Sequence, residues 1–381
     1  MIYLDNAATS YPKPQRVINA VCNSLFFYGA NPGRSGYEMS IKTSTKIHDT
    51  RVVINELFNG YGEEYVSFTG NCTQALNYAI KGVLKQGDHA IISSLEHNSV
   101  ARPMQELKDK NIIDYDAFYV DENEKNTMKN YKNLFRENTR LCVVTGVSNA
   151  FGDMLPILEL SRIAHSHGAL FFVDGAQMAG HMPIDMRGMG VDALCVPGHK
   201  GLMGPMGTGA LIHNGVDFDP VITGGTGTES MSLLQKTQFP EYLESGTLNV
   251  PGICGLYEGV RYVLDRKTEE INRIEKEICD EIISGLREID GVIVYRRGEG
   301  NRYGSVVSFN VNSLHSETVA GILAQYSIAV RGGFHCAKLA HETYGTTTKG
   351  AVRVSPSEKT SKKDIKNLLN LVRKIAFSNF I

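Results

Sequence analysis

An α/β fold with a largely parallel sheet, followed by a smaller α+β unit, is the architecture this sequence predicts. Two observations carry the prediction. From residue 63 to 214, short β-branched or aromatic runs alternate with longer segments of helical pattern, the order that lays helices on both faces of a parallel sheet. After about residue 250 the pattern changes to a long charged amphipathic stretch, two isolated strand-like runs and a closing helix.

The strand-like runs are Tyr65-Val-Ser-Phe68, Ala90-Ile-Ile-Ser93, Ala117-Phe-Tyr-Val120, Leu141-Cys-Val-Val-Thr145, Leu170-Phe-Phe-Val173 and Gly209-Ala-Leu-Ile212. Between them, Thr73 to Leu84 repeats apolar residues at spacings of three and four, as a helix facing the sheet must. In the second unit, Tyr257 to Ile289 is amphipathic, Ser305 to Val311 and Ala351 to Ser355 alternate like strands, and Lys362 to Ala376 closes the chain as a helix. We read a large domain over 15–254 and a small one over 1–14 and 255–381, joined by the helix that begins near Gly255.

Composition narrows the function. With 381 residues, 42% of them apolar, the chain can bury a large core. A formal charge of −2 gives no surface for nucleic acid or for electrostatic anchoring to a membrane. Seven cysteines, without a Cys-x-x-Cys pair or a histidine at zinc spacing, fit a reducing cytoplasm. No basic leader with an apolar core and no run of about eighteen uncharged apolar residues is present. A cytoplasmic enzyme without a resident metal is expected.

The chemistry-bearing pair is Asp174 and Lys200. Asp174 closes the apolar run Leu170-Phe-Phe-Val173, so it emerges at the carboxyl end of a buried strand, where open sheets of this kind bind ligands and a buried acid needs a partner. Lys200 stands in Pro197-Gly-His-Lys-Gly201, where flanking glycines allow close backbone approach. An isolated Gly-His-Lys is usually a surface lysine; after a strand-end acid it reads as a pyridoxal phosphate site. Such a site needs an amine to bond the aldehyde and a carboxylate to keep the ring nitrogen protonated. Gly70-Asn-Cys-Thr73, at the head of the amphipathic helix, offers free backbone N–H groups to the phosphate, with Thr73 and His199 as further donors.

Cys336 lies in Arg331-Gly-Gly-Phe-His-Cys-Ala337, a mobile or tightly turning loop whose Arg331 and His335 are company that favours thiolate. Cys22, Cys142, Cys195, Cys254 and Cys279 sit among apolar or helical neighbours and read as core residues. Arg353, in Val352-Arg-Val-Ser355, has the planar fork that suits a carboxylate and should project towards the site.

Taken in order, Tyr3-Leu-Asp-Asn-Ala-Ala-Thr9, Asn31-Pro-Gly-Arg-Ser-Gly36, Phe68 to Asn77, Glu96-His-Asn-Ser99, Val147-Ser-Asn-Ala-Phe-Gly152, Val173-Asp-Gly-Ala-Gln177, Gly198-His-Lys-Gly201, Glu244-Ser-Gly-Thr-Leu-Asn249 and Val330 to Ala337 resemble the class V aminotransferase-like enzymes of pyridoxal phosphate fold type I. Within them the chain is similar to the short-loop cysteine desulfurase and selenocysteine lyase branch. The resemblance implies a mostly parallel seven-stranded sheet. It implies that His97 stacks on the ring, that Gln177 donates to the ring's phenolic oxygen, and that Cys336 accepts sulfur from L-cysteine, leaving L-alanine. It also implies that Arg353 grips the substrate carboxylate with Asn149 assisting and Arg331 nearby, and that Thr247 reaches the phosphate of a neighbouring subunit in a homodimer with shared active sites. The bound sulfur would pass to an acceptor protein. Five positions depart from the family pattern: Cys72 for threonine, Asn98 for a second histidine of several relatives, Gly146 for histidine, Pro197 for serine or threonine, and Leu248 for proline.

Competing readings are a selenocysteine lyase acting on L-selenocysteine, an ordinary aminotransferase, and a binding protein that keeps the fold without its chemistry. Cys336 separates the first by mechanism, since selenium leaves without a cysteine nucleophile. The aminotransferase would give the Cys336 block no purpose. The Cys72, Gly146 and Pro197 departures motivate the third.

Overall fold

Residues 141–145 are buried on both faces and form the middle of a sheet, because only a strand covered from both sides can bury five consecutive side chains. The computed structural model describes all residues except 34–35, 228–230, 236–237, 298–301 and 378–381. In chain order β1 (Ile2–Tyr3), α1 (Gln15–Phe27) and α2 (Glu38–Phe58) precede the sheet strands. There follow β2 (Val66–Thr69), α3 (Cys72–Val83), β3 (Asp88–Ser93), α4 (Asn98–Asp109), β4 (Ile113–Phe118), α5 (Glu124–Lys132), β5 (Thr139–Thr145), α6 (Ile157–Ser166), β6 (Leu170–Asp174), α7 (Met186–Met189), β7 (Ala193–Pro197) and β8 (Gly209–His213).

These seven strands form one sheet in the order β2-β8-β7-β6-β5-β3-β4. β3 to β7 pair in parallel, and β8 runs antiparallel to both β7 and β2. The mostly parallel seven-stranded sheet expected from the sequence is therefore present. Alternate side chains of each inner strand enter opposite cores: Ile91, Val144, Val173 and Val196 on one face, Ile92, Val143, Phe172 and Cys195 on the other. Each such burial stabilises the fold by about 1.5–3 kcal/mol.

Two strand expectations need correction. β7 is absent from the six predicted runs; its Ala-Leu-Cys-Val-Pro sequence is wholly buried, but it is short and reads as the lead into the lysine motif. β4 begins at Ile113, four residues before the predicted run, because this edge strand carries Asp114 and Asp116, which ion-pair with Arg136 and break the apolar pattern.

The C-terminal part comprises α8 (Val250–Arg266), α9 (Thr268–Arg287), β9 (Val292–Tyr295), β10 (Val307–Val311), α10 (Ser316–Gln325), β11 (Ile328–Ala329), α11 (Lys338–Thr343), β12 (Val352–Val354) and α12 (Lys362–Phe377). The single amphipathic stretch predicted from Tyr257 is two helices, separated where Lys267 takes φ +65°. α8 belongs with the large sheet, its Val250, Ile253, Leu256 and Val260 lying in that core, so position 254/255 falls inside a helix. A separate apolar cluster joins α9, α10, α12 and the β12-β10-β9 sheet, and Leu4 is part of it. β1 pairs in parallel with β11, and Asp5 bridges to Ser355.

One cysteine reading is overturned. Cys22 is exposed, because Val17 and Ser24 define the buried side of α1 and Cys22 lies off it, beside exposed Ile18, Leu25 and Phe26.

Candidate active site

Five strands of the sheet deliver polar residues to the same edge. β2 leads into Asn71–Thr73, β3 into His97, β5 into Thr145–Asn149, β6 ends on Asp174, and β7 runs into Pro197–Lys200. Together they line one cavity, in which Cys72, Thr73, His97, Asn149, Asp174, Gln177, His199 and Lys200 all meet. Two larger clefts, of ≈480 and ≈420 Å³, lie elsewhere, and neither is lined by a lysine or a cysteine.

Lys200 sits in a closed excursion between antiparallel neighbours: Pro197 pairs with Gly209, and Gly198 N–H donates to the Thr208 carbonyl at 2.8 Å. Gly198 and Gly201 are needed for contact rather than flexibility. A side chain at Gly198 would strike Thr208, and one at Gly201 would strike the Ala179 carbonyl and the His181 ring. The Lys200 amine makes no hydrogen bond among the described residues. Burial pushes its pKa down, against the pull of Asp174 and Cys72, so the free amine is more accessible than in an ordinary lysine.

Asp174 is buried, and its Oδ1 accepts from Ala176 N at 2.9 Å and from Cys72 Sγ at 3.6 Å. Burial raises its pKa, while the Ala176 N–H and Lys200 counteract. A cationic ring nitrogen would relieve that burial. Cys72, which replaces a hydroxyl residue, thus turns its thiol to the carboxylate rather than to the anion cradle. At the start of α3, Asn71 caps the Gln74 N–H at 2.9 Å, while the preceding first-turn N–H groups have no intrahelical partner. His199 Nδ1 is likewise buried without a partner. A free amine, a buried carboxylate and unpartnered donors suit the aldehyde, ring nitrogen and phosphate of pyridoxal phosphate.

His97 is oriented by a residue the sequence reading missed. Ser99 N–H donates to His97 Nδ1 at 3.0 Å, and Ser99 Oγ lies 2.8 Å from both that nitrogen and Thr73 Oγ1. Nδ1 therefore accepts and the proton resides on Nε2. Burial, with Lys200 nearby, lowers His97 to about 4, so the ring is neutral at pH 7. Gln177 is positioned otherwise than expected: its Nε2 donates to the Ala7 carbonyl at 2.9 Å, leaving one amide hydrogen.

The cysteine loop is tightly turned. His335 and Cys336 both have positive φ, +50° and +55°, an arrangement that non-glycine residues adopt only when held. Here Asn98 N–H donates to the Cys336 carbonyl at 2.7 Å, Asn149 Nδ2 to the His335 carbonyl at 2.7 Å, and Gly333 N–H to Ser316 Oγ at 3.0 Å. Cys336 is exposed and lines a cleft that shares Thr73, His97 and Ser99 with the lysine cavity. The expected electropositive partner changes, however. His335 is buried, bonded to the Ala351 carbonyl at 2.9 Å and lowered to about 2, so it is neutral. Arg102, from α4, is the cation in the Cys336 cleft.

Arg353 does not line the cavity. It is fully buried behind Asn149, with Nη2 on Asp5 Oδ1 at 2.8 Å, Nη1 on the Asn149 carbonyl at 3.0 Å, and Nε unpartnered. Arg331 is exposed and bridges to Arg353 through the backbone. Thr247 is exposed and apart from the lysine cavity. Arg34 and Ser35 of the Asn31–Gly36 motif lie outside the described residues. The Gly146 departure has a physical counterpart: a Cβ there would come within 2.6 Å of Met178 Sδ, so Met178 fills the space a side chain would take.

Glu96, beside His97, is completely buried. Its Oε1 accepts from Thr145 N at 2.8 Å and from Ser93 Oγ, and Oε2 has no partner. Burial raises its pKa from 4.5 to about 8. The folded chain thus keeps a proton that the unfolded chain loses, and Glu96 costs stability increasingly as pH rises from about 4.5 to about 8. Glu96→Gln, which preserves the neutral shape, should melt above the wild type at pH 8, with the gap closing towards pH 5. A gap independent of pH would contradict the assignment.

A buried acid and a free lysine at the carboxyl edge of a parallel sheet define the class of fold type I pyridoxal phosphate proteins. The chain belongs to the aminotransferase class-V family, whose model matches residues 2–368. It is 33% identical to a probable cysteine desulfurase of Methanothermobacter thermautotrophicus over 91% of this chain and 88% of the relative. A probable cysteine desulfurase of Pyrococcus abyssi is 32% identical over 99% of this chain and 95% of the relative. The apo structure of a cysteine desulfurase from Thermococcus onnurineus superposes with a TM-score of 0.91 at 33% identity, covering 98% of this chain and 94% of the other.

Proposed function

We propose that the chain is a pyridoxal phosphate-dependent cysteine desulfurase that converts L-cysteine to L-alanine and retains the sulfur as a persulfide on Cys336. The observation that carries this reading is the cleft in which exposed Cys336 adjoins the Lys200–Asp174 cavity through His97, Ser99 and Thr73. The desulfurase names of the relatives support it over a selenocysteine lyase or an aminotransferase.

Lys200, Asp174, Gln177, His97, Cys72, Thr73, Asn149, His199 and, from a second subunit, Thr247 are the residues we assign to holding pyridoxal phosphate. Bound there, it would supply an aldehyde for the substrate amine and a ring that draws electron density from Cα. Lys200, with its amine unbonded and its pKa lowered, takes and returns the Cα proton. Asp174 keeps a negative charge at the base of the cavity, and neutral His97 covers it with Nε2–H as donor. Arg353, released from Asp5, and Asn149 hold the substrate carboxylate, with Arg331 supporting the Arg353 strand.

The sulfur step balances without an added oxidant. Cys336 thiolate forms an S–S bond to the substrate sulfur, the Cβ–S bond breaks with its electron pair on carbon, and the proton from the substrate thiol completes the methyl group of alanine. The persulfide is then available to an acceptor protein. The reading also keeps two domains, with the boundary moved from 254/255 to the end of α8, whose Leu256 and Val260 pack in the large core, a homodimer with shared sites, and a cytoplasmic setting. No helix among the described residues is long and apolar enough to cross a membrane.

Mass spectrometry after incubation with L-cysteine tests the assignment. The peptide containing Cys336 should gain one sulfur atom while alanine accumulates in solution. Sulfur on another cysteine, or pyruvate in place of alanine, would overturn it.

A further inference from the structure

The carbonyl of His199, immediately before Lys200, accepts an unusual number of donors. Ser10 N–H reaches it at 3.1 Å, Thr9 Oγ1 at 3.0 Å and Lys13 Nζ at 2.7 Å. Lys13 Nζ also donates to Ser10 Oγ at 2.6 Å, and Ser10 Oγ lies 2.8 Å from the Lys200 carbonyl. All these donors come from residues 9–13, which sequence reading left without a role beyond the Tyr3–Thr9 motif.

We infer that Lys13 is a positioning residue for Lys200, its ammonium fixing the His199–Lys200 backbone through the His199 carbonyl and Ser10. The inference rests on the reading of Lys200 as the acting amine. A lysine drawn into the protein normally finds a carboxylate. None of the described acids is within ion-pair distance of Lys13, and burial lowers its pKa to about 8. Two of its three hydrogens go instead to the His199 carbonyl and to Ser10 Oγ. The opposite side of that turn is closed by Gly201 against the Ala179 carbonyl, and by Met203 N–H on the Lys200 carbonyl at 2.8 Å. With both sides held, the Lys200 side chain swings from a fixed base, the condition under which an amine can serve both an aldehyde and a carbon acid.

Lys13→Met isolates this effect, since the methionine preserves the aliphatic stem and removes the donors. We expect kcat for alanine formation to fall about tenfold or more and KM for L-cysteine to stay within about twofold. The visible absorption band that develops when pyridoxal phosphate is added to the cofactor-free chain should form correspondingly slowly. Lys13→Arg should restore part of both rates. Wild-type kcat and wild-type band formation in Lys13→Met, or a loss confined to KM, would overturn the inference. Should Lys13→Met not fold, Ser10→Ala, which removes the link from Nζ to the Lys200 carbonyl, is read in its place against the same outcomes. Band formation is independent of the desulfurase reading: a wild type that forms the band but makes no alanine sinks that reading and leaves Lys13 still tested by the rate of the band.

Discussion

Lys200→Ala is expected to lower alanine formation from L-cysteine on the order of 10⁴-fold, because it removes both the group that bonds the aldehyde and the acid–base that works at Cα. Folding should survive the change. The amine has no hydrogen bond to lose, and the turn is held through backbone atoms. Lys200→Arg is the informative companion, since it restores a cation opposite Asp174 but cannot bond an aldehyde under ordinary conditions. Both variants should lack the visible band of the wild type with pyridoxal phosphate. Retention of more than about one part in a hundred of the activity would exclude Lys200 as the acting amine.

Cys336→Ala should separate two halves of the chemistry. The cofactor cavity does not include this side chain, so the visible band and its response to L-cysteine should persist. Alanine formation should nonetheless fall on the order of 10³-fold, the scale on which loss of a nucleophile is felt. L-selenocysteine should suffer far less, because selenium departs more readily without a thiolate to attack it. Equal losses on both substrates would mean that Cys336 serves the structure of its loop rather than the sulfur step. The loop is a real alternative source of trouble, as Cys336 is held at φ +55°, which alanine tolerates no better than cysteine. Cys336→Ser at the same backbone angle provides the control.

The central strands are legible because burial on both faces leaves continuous apolar runs, as in Leu141–Val144 and Leu170–Val173. β4 was misplaced for the converse reason: at the sheet edge, Asp114 and Asp116 face solvent and salt partners. The break at Lys267 leaves no mark in periodicity, since α8 and α9 remain amphipathic on either side. In the site, eight predicted residues converge on one cavity. What eluded reading was contact across the chain. Ser99 is an ordinary serine until its N–H meets the His97 ring, and Lys13 is an ordinary lysine until it reaches the His199 carbonyl. For Ser99, the spacing of two from a histidine at a helix start was the available signal. His335 shows the opposite error, as a histidine beside a cysteine suggested charge, yet its burial removes it.

The pairing of β1 with β11 governs when the lysine turn is completed during synthesis. The sheet can assemble once residue 213 is available, and Lys200 with it, but the first strand has no partner until residue 328 has been made. Thr9, Ser10 and Lys13 follow that strand, so the segment that secures the turn is made before the sheet and docks after it. Such closure over nearly the whole chain is slow relative to local events. A nascent chain can thus possess its sheet and its amine well before it possesses a rigid site. A rigid lysine turn therefore belongs to a late stage of folding, after β1 has met β11.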